Sequence, residues 1–374
     1  MTCAKKYSLL HRTASRSAFT LAELLVGIAI VTLMATMLIV ALGQVREDAR
    51  EARTKAQIAK INELLMIRWE SYRTRPIPLG IDFDQKMFYY RFFPGMTNGQ
   101  YVAAKRLDAV REFMRLEMPD RKTDVLDDPV TDVDNNTATT GDRLTVPTLT
   151  RSFRRRVDAL DNGDPFDGVP VAADIAKWTN QHQSAECLYM IIGSINDVMG
   201  NGLEFFGEEA IGDVDGDGMP EILDSWKNPI EFVRWPVGLS HPVRDFTAIK
   251  PDENFSTIQT GDAEPTLDNN PGLAADPMDY LHVDPRWTDS VPDNDPFALF
   301  PLIVSAGPDG LYDIIGDRSD GTPLQYSTTT PTNDPYFTPP GGQQRMGEPA
   351  DGNGDNRPDA GYWDNITNHF EDIN

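Results

Sequence analysis

Hydrophobic and polar positions change their rhythm sharply along the chain. From Phe19 to Leu42 the side chains are apolar apart from Glu23, over 24 residues. At 1.5 Å per helical residue that run reaches roughly 36 Å, enough to cross a bilayer. From Gln44 to Arg75 there is neither Gly nor Pro, and charges of both signs alternate from Arg46 to Arg53. Within this stretch Ile58, Ile61, Leu65, Trp69 and Tyr72 recur three and four apart. The spacing predicts one long helix over 19–75 with an apolar stripe that packs a globular domain against its distal half. Pro76 and Pro78 end it.

Beyond residue 76 the pattern predicts an α+β domain built on an antiparallel sheet with large loop insertions. "AAKRLDAVREFMRLEMP" from Ala103 carries Leu107, Val110 and Met114 at helical spacing. "MFYYRFFPG" from Met87, "IEFVRWP" from Ile230 and "LFPLIVSAG" from Leu299 are rich in β-branched and aromatic residues and end at turn formers, which predicts strands. "AECLYMIIG" from Ala185 fits a buried helix or a buried strand equally. The stretches 121–150, 237–296 and 317–349 are dominated by Asp, Asn, Thr, Pro and Gly and read as loops or insertions.

Charge adds a direction. The first 18 residues hold Lys5, Lys6, Arg12 and Arg16 and no acid, so they stay cytoplasmic by the positive-inside tendency, and the remainder is exported. Over all 374 residues, 58 acidic side chains face 34 basic ones, a formal net charge of −24. That balance argues against nucleic acid as a partner, because phosphate binding needs a basic patch. Cys3 and Cys187 are too few for a disulfide framework. A conventional signal peptide is the plainer reading of the first segment, with small residues at Ala41 to Gly43 for cleavage. Its apolar region is nevertheless longer than the usual 7–15 residues or so, and it contains a carboxylate.

The stretch "SAFTLAELLVGIAIV" resembles the amino-terminal signature of type IV pilins and type II secretion pseudopilins: a small residue, then Phe, Thr, Leu, any residue and Glu before an apolar helix. The resemblance implies that prepilin peptidase cuts between Ala18 and Phe19, methylates the new amine and leaves the helix in place. Ala18 stands where Gly is commoner. The resemblance also gives Glu23 a role, neutralising the Phe19 ammonium of a neighbouring subunit as helices pack into a filament. The alternative role is local, with Glu23 complementing its own helix N-terminus. The family further implies a single-pass protein of the inner membrane with a periplasmic domain, and partners in other pseudopilins and a secretion platform protein.

Candidate chemistry lies in the acidic loops. "DVDGDGMPEILD" from Asp213 fits a calcium loop: Asp213, Asp215 and Asp217 alternate, Gly218 permits a sharp turn, and the Met219 carbonyl, Glu221 and Asp224 complete a hard-oxygen donor set. Zinc is a poorer fit without nearby His or Cys pairs. An Asp at the last position and Pro220 set the loop apart from an ordinary EF-hand, and the alternative is a turn that is merely acidic. "DSWKNPIEFVRW" resembles a motif of major pseudopilins through Asp224, Trp226, Asn228 and Pro229. "VSAGPDGLYDIIGD" resembles the segment with which those proteins bind calcium, which implies a second site at Ser305, Asp309, Asp313 and Asp317. "DGNGDNRPDAGYWD" from Asp351 is a third, weaker candidate.

No G-x-S-x-G, H-E-x-x-H, C-x-x-C or phosphate-binding glycine loop occurs. His182 and Cys187 stand five residues apart, a spacing that does not align them on one helix face, so a structural Cys187 is expected. The expectation is therefore a non-enzymatic filament subunit with a calcium-stabilised exported domain. The alternative is a membrane-tethered, calcium-dependent binding protein or carbohydrate-active enzyme that never polymerises.

Overall fold

The structure is a computed structural model and describes residues 20–77, 79, 97–129, 144–160, 167–197, 200–241, 244–245, 274–288, 295–316, 334–336, 345–350, 358 and 360–369. The chain divides into two compact units, Met1–Arg50 and Glu51–Asn374. Helix α1 runs Leu21–Thr74, and it is the one helix among the described residues long and apolar enough to cross a membrane. In the first unit its large apolar side chains, from Leu21 through Val45, are exposed. In the second unit it buries Thr54, Ile58, Ile61, Leu64, Leu65, Trp69 and Tyr72, which contains the whole predicted stripe.

Among the described residues five shorter α-helices follow: α2 (Asn98–Glu117), α3 (Lys122–Leu126), α4 (Thr148–Asp158), α5 (Ala172–Lys177) and α6 (Gln183–Ser194). Helix α2 starts at a capping box in which Thr97 Oγ1 accepts from Gln100 N and Gln100 Oε1 accepts from Thr97 N. It buries Leu107, Val110 and Met114 as its spacing predicts. The ambiguous run at Ala185 is helix α6, with Cys187, Leu188, Ile191 and Ile192 fully buried.

The strands are short: β1 (Asn196–Asp197), β2 (Gly200–Asn201), β3 (Ile211–Gly212), β4 (Glu221–Ile222), β5 (Glu231–Val233), β6 (Ser240–His241), β7 (Arg244–Asp245), β8 (Leu302–Ser305) and β9 (Ile366–Thr367). Among the described residues all pairings are antiparallel, in three two-stranded ribbons and one sheet of order β5-β8-β9. In that sheet Phe232 pairs with Ile303 and Val233 with Leu302. Phe232 and Ile303 enter the main core with α1, α2 and α6, whereas Val233, Leu302 and Val304 enter a smaller cluster with Tyr312, Ile314 and Tyr362. The two-residue period of the strands thus fills both faces of the sheet. The described part of the chain is α+β.

The expected loops hold more structure than their composition predicts. The stretch 121–150 contains α3 and the start of α4, and 237–296 contains the β6-β7 hairpin, a 3-10 turn at Pro285–Thr288 and the buried Met278 and Val283. Ion pairs hold these segments in place of periodic apolar contacts. Asp124 of α3 meets Arg115, Arg121 and Arg234, and Arg111 of α2 reaches Asp276 and Asp284 at 3.2 and 2.7 Å. In 317–349 the described pieces include a β-bridge between Ile314 and Pro349. The strand expected at Met87 lies outside the described residues.

A candidate metal centre between helix α6 and an acidic loop

The loop between β3 and β4 folds around its own carboxylates. Asp213 Oδ1 accepts from Gly216 N at 2.8 Å and its Oδ2 from Gly218 N at 3.1 Å. Asp217 Oδ1 accepts from Met219 N at 2.8 Å, and its Oδ2 from Thr179 N at 2.7 Å. Gly216 and Gly218 sit at φ 78° and 98°, a region that a side chain would strain. This winding brings single oxygens of Asp213, Asp215 and Asp217 within 4.8 Å of one another. Met219 is buried against the core and anchors the loop.

Asp215 belongs to a second group as well. One oxygen each from Glu186, Asp215 and Glu221 also lie within 4.8 Å of one another. Glu221 is the first residue of β4 and Glu186 stands in the first turn of α6, a helix that packs on β4 and β5. Both glutamates are completely buried. Glu221 Oε2 accepts from Val214 N at 3.1 Å, Glu186 Oε2 accepts from Trp178 Nε1, and Asp215 Oδ2 accepts from the Thr179 hydroxyl. The remaining oxygens, Glu186 Oε1 and Glu221 Oε1, have no hydrogen-bond partner among the described residues.

Burial dominates the electrostatics here. It pushes the Glu186 carboxyl up to about 10 and that of Glu221 up to about 8, with Asp215 adding repulsion to both. Burial also raises Asp217. In the absence of a cation burial therefore favours the protonated forms of Glu186 and Glu221, and a divalent cation would replace those protons. Hard carboxylate oxygens suit calcium, which takes 6–8 oxygens at about 2.3–2.6 Å.

Asp224 is placed differently. It is buried, its Oδ1 accepts from Trp226 N and Asn228 N at 2.8 and 2.9 Å, and its Oδ2 accepts from Ser305 Oγ at 2.7 Å. It belongs to neither acidic group. The Ser305 hydroxyl is thus committed to Asp224, and Asn228 Nδ2 donates to Gly307 O at 2.8 Å, so the segments around Asn228 and Ser305 pack together. Asp313 stands at φ 45° and its Oδ2 accepts from Gly361 N at 3.0 Å, while Asp309 Oδ1 accepts from Leu311 N at 2.9 Å. A Cβ on Gly361 would lie 2.8 Å from Asp313 Oδ2 and 3.0 Å from Asp309 Oδ2, so both acids crowd one glycine. Asp364, which ends the third candidate motif, joins them: burial raises its carboxyl, with Asp309 and Asp313 adding repulsion. Asp317 lies outside the described residues.

At the other end of the chain, Thr20 N and Thr20 Oγ1 donate to Glu23 Oε2 at 2.9 and 3.0 Å, and Glu23 N donates to Thr20 Oγ1 at 3.3 Å. The pair forms a capping box at the start of α1. Ala18 and Phe19 lie outside the described residues. His182 turns from Cys187 to Glu231, its Nδ1 lying 3.0 Å from Glu231 Oε1, and Cys187 is fully buried with its thiol pushed well up by burial.

Glu186 is the residue that motif reading misses. Its signal is a single carboxylate in an otherwise apolar run, the same anomaly that marks Glu23. Comparison with protein-family models, curated proteins and solved structures gives no match to this chain.

Proposed function

We propose that the protein is a filament subunit of the pseudopilin and type IV pilin kind, anchored in the inner membrane with its acidic domain exported and serving type II protein secretion. The observation that carries the reading is the exposed apolar helix from Leu21, with one carboxylate, Glu23, in its first turn. A helix that is apolar all round needs lipid or other helices about it, and a charge at its start is costly unless paired. The basic leader, the Phe19 junction and Glu23 are the parts on which prepilin peptidase and neighbouring subunits would act. Calcium held at the Asp213 to Glu221 loop stabilises the exported domain in this reading. Amino-terminal sequencing of the membrane-extracted protein tests it. Processing by prepilin peptidase predicts a mature chain that begins at N-methylated Phe19, whereas a start at Gln44 would establish an ordinary signal peptide and end the proposal.

A further inference from the structure

The calcium reading above concerns a loop, but the geometry points to a site that reaches beyond it. We infer that Glu186 of α6 and Glu221 of β4 are ligands, with Asp215, of a buried divalent cation of the calcium type that ties the loop to helix α6. The inference rests on the reading that this loop binds calcium, and it adds a ligand, Glu186, that the loop motif does not contain.

Oxygens that each sit about 2.4 Å from one calcium ion can be no more than about 4.8 Å apart, and the three carboxylates meet that limit. The two glutamates are also prepared for the task in the same way. Val214 N, Trp178 Nε1 and the Thr179 hydroxyl each hold one oxygen of one carboxylate. On both glutamates the second oxygen is left buried and without a partner. Hydrogen bonds that fix one oxygen and free the other are what orient a metal ligand. No Lys, Arg or His pairs with either glutamate among the described residues, although three such acids converge. Lys122, which feels Glu186 and Asp217, spends its Nζ on Trp178 O at 3.1 Å, and His182, which feels Glu221, turns its Nδ1 to Glu231 at 3.0 Å. Two buried oxygens, Glu186 Oε1 and Glu221 Oε1, each without a hydrogen-bond partner, are a costly arrangement for a fold to retain without an occupant.

A lone acidic turn would leave Asp213, Asp215 and Asp217 to act by themselves. The two ligand sets share Asp215, so the loop's exposed edge and its buried edge hinge on one residue. A cation at the buried edge cross-links the first turn of α6 to the start of β4, elements that belong to the main core, through Ile191 and Ile222 among others.

The test is calorimetric titration of the full chain in detergent micelles with calcium alone, on the parent protein and on E186Q, E221Q and D215N. Loss even of outer partners weakens metal binding by about 10–100-fold, so loss of a ligand is expected to weaken it by about a hundredfold or more in all three variants. Parent-like calcium affinity in E186Q and E221Q, with binding lost in D215N, would overturn the inference and leave a loop-only site. A parent chain that binds no calcium at about 10 mM, well above the range of extracellular modules, would overturn the loop reading itself. Should E186Q fail to fold, E186D decides: its carboxylate is one methylene short, a weakening of about tenfold is expected, and unchanged affinity counts against the site.

Discussion

Ser305 Oγ donates to Asp224 Oδ2 across 2.7 Å, joining positions 81 residues apart in sequence. Asp224 also takes two backbone N–H groups on its other oxygen, so one buried carboxylate organises the turn after β4 and ties it to the end of β8. D224A leaves three donors without their acceptor and is expected to lower stability by about 3 kcal/mol or more, while S305A, losing one bond, costs about 1–2 kcal/mol. Chemical denaturation of the full chain in micelles reads both. The losses should be equal in calcium and in chelator, because Asp224 is already saturated by protein donors. A D224A penalty that vanishes in chelator would instead make Asp224 a ligand.

Helix α3 depends on charge. Arg234, itself wholly buried, donates from Nη1 to Asp124 Oδ2 at 2.8 Å, and Arg121 and Arg115 reach Asp124 Oδ1 at 3.1 and 3.4 Å. Burial opposes ionisation of Asp124, but Arg121, Arg234 and Arg115 together outweigh it and hold its carboxyl well below the usual range. A carboxyl lowered on folding contributes stability above its unfolded value of about 3.9, and that contribution fades as pH falls through the folded value. D124N, which strands buried guanidinium groups, is expected to cost about 3–5 kcal/mol at neutral pH. Its stability should also fall less steeply than that of the parent between about pH 4 and 2. Parallel acid limbs for the two proteins would show that Asp124 does not titrate in this way.

These ion pairs explain what was legible in the sequence. The stripe from Ile58 to Tyr72 and the row Leu107, Val110 and Met114 were readable, because a helix that packs one face must repeat every three or four residues. Phe232 and Ile303 were readable as strand residues for a similar reason, although the strands are shorter than their apolar runs. Helix α3 was not readable. Its five residues carry no usable period, and what holds Asp124 comes from Arg115 and from Arg234, 110 residues away. Glu186 was missed likewise. Asp213, Asp215 and Asp217 announce themselves by alternation, but the carboxylate that completes their inner side lies on another element, and only packing brings it there.

Calcium should be visible in stability. Extracellular calcium modules bind at about 10⁻⁴–10⁻³ M, and at a hundredfold excess over such a constant the gain is about 2.7 kcal/mol. The full chain in micelles is therefore expected to melt higher in calcium than in chelator, with magnesium a poor substitute because it demands a tighter octahedral shell. D215N should abolish most of the difference, since Asp215 is common to both acidic groups. A shift that survives in D215N would move the dominant site to Asp309, Asp313 and Asp364, and identical melting curves for the parent in calcium and chelator would count against both sites.

The two roles open to Glu23 separate cleanly because of Thr20. Glu23 caps its own helix through Thr20 N and Oγ1, a local duty that a glutamine performs almost as well, since a capping box accepts either residue at this position. Pairing with a neighbouring subunit's Phe19 ammonium, by contrast, needs the negative charge. E23Q thus keeps the cap and loses the charge, whereas T20A keeps the charge and loses the cap. If Glu23 serves assembly, cross-linking in membranes should show E23Q confined to monomer and T20A forming the same polymer ladder as the parent, with both inserted in equal amount. The reverse result, ladders in E23Q and none in T20A, would make helix capping the whole of Glu23's function and remove the main support for a filament.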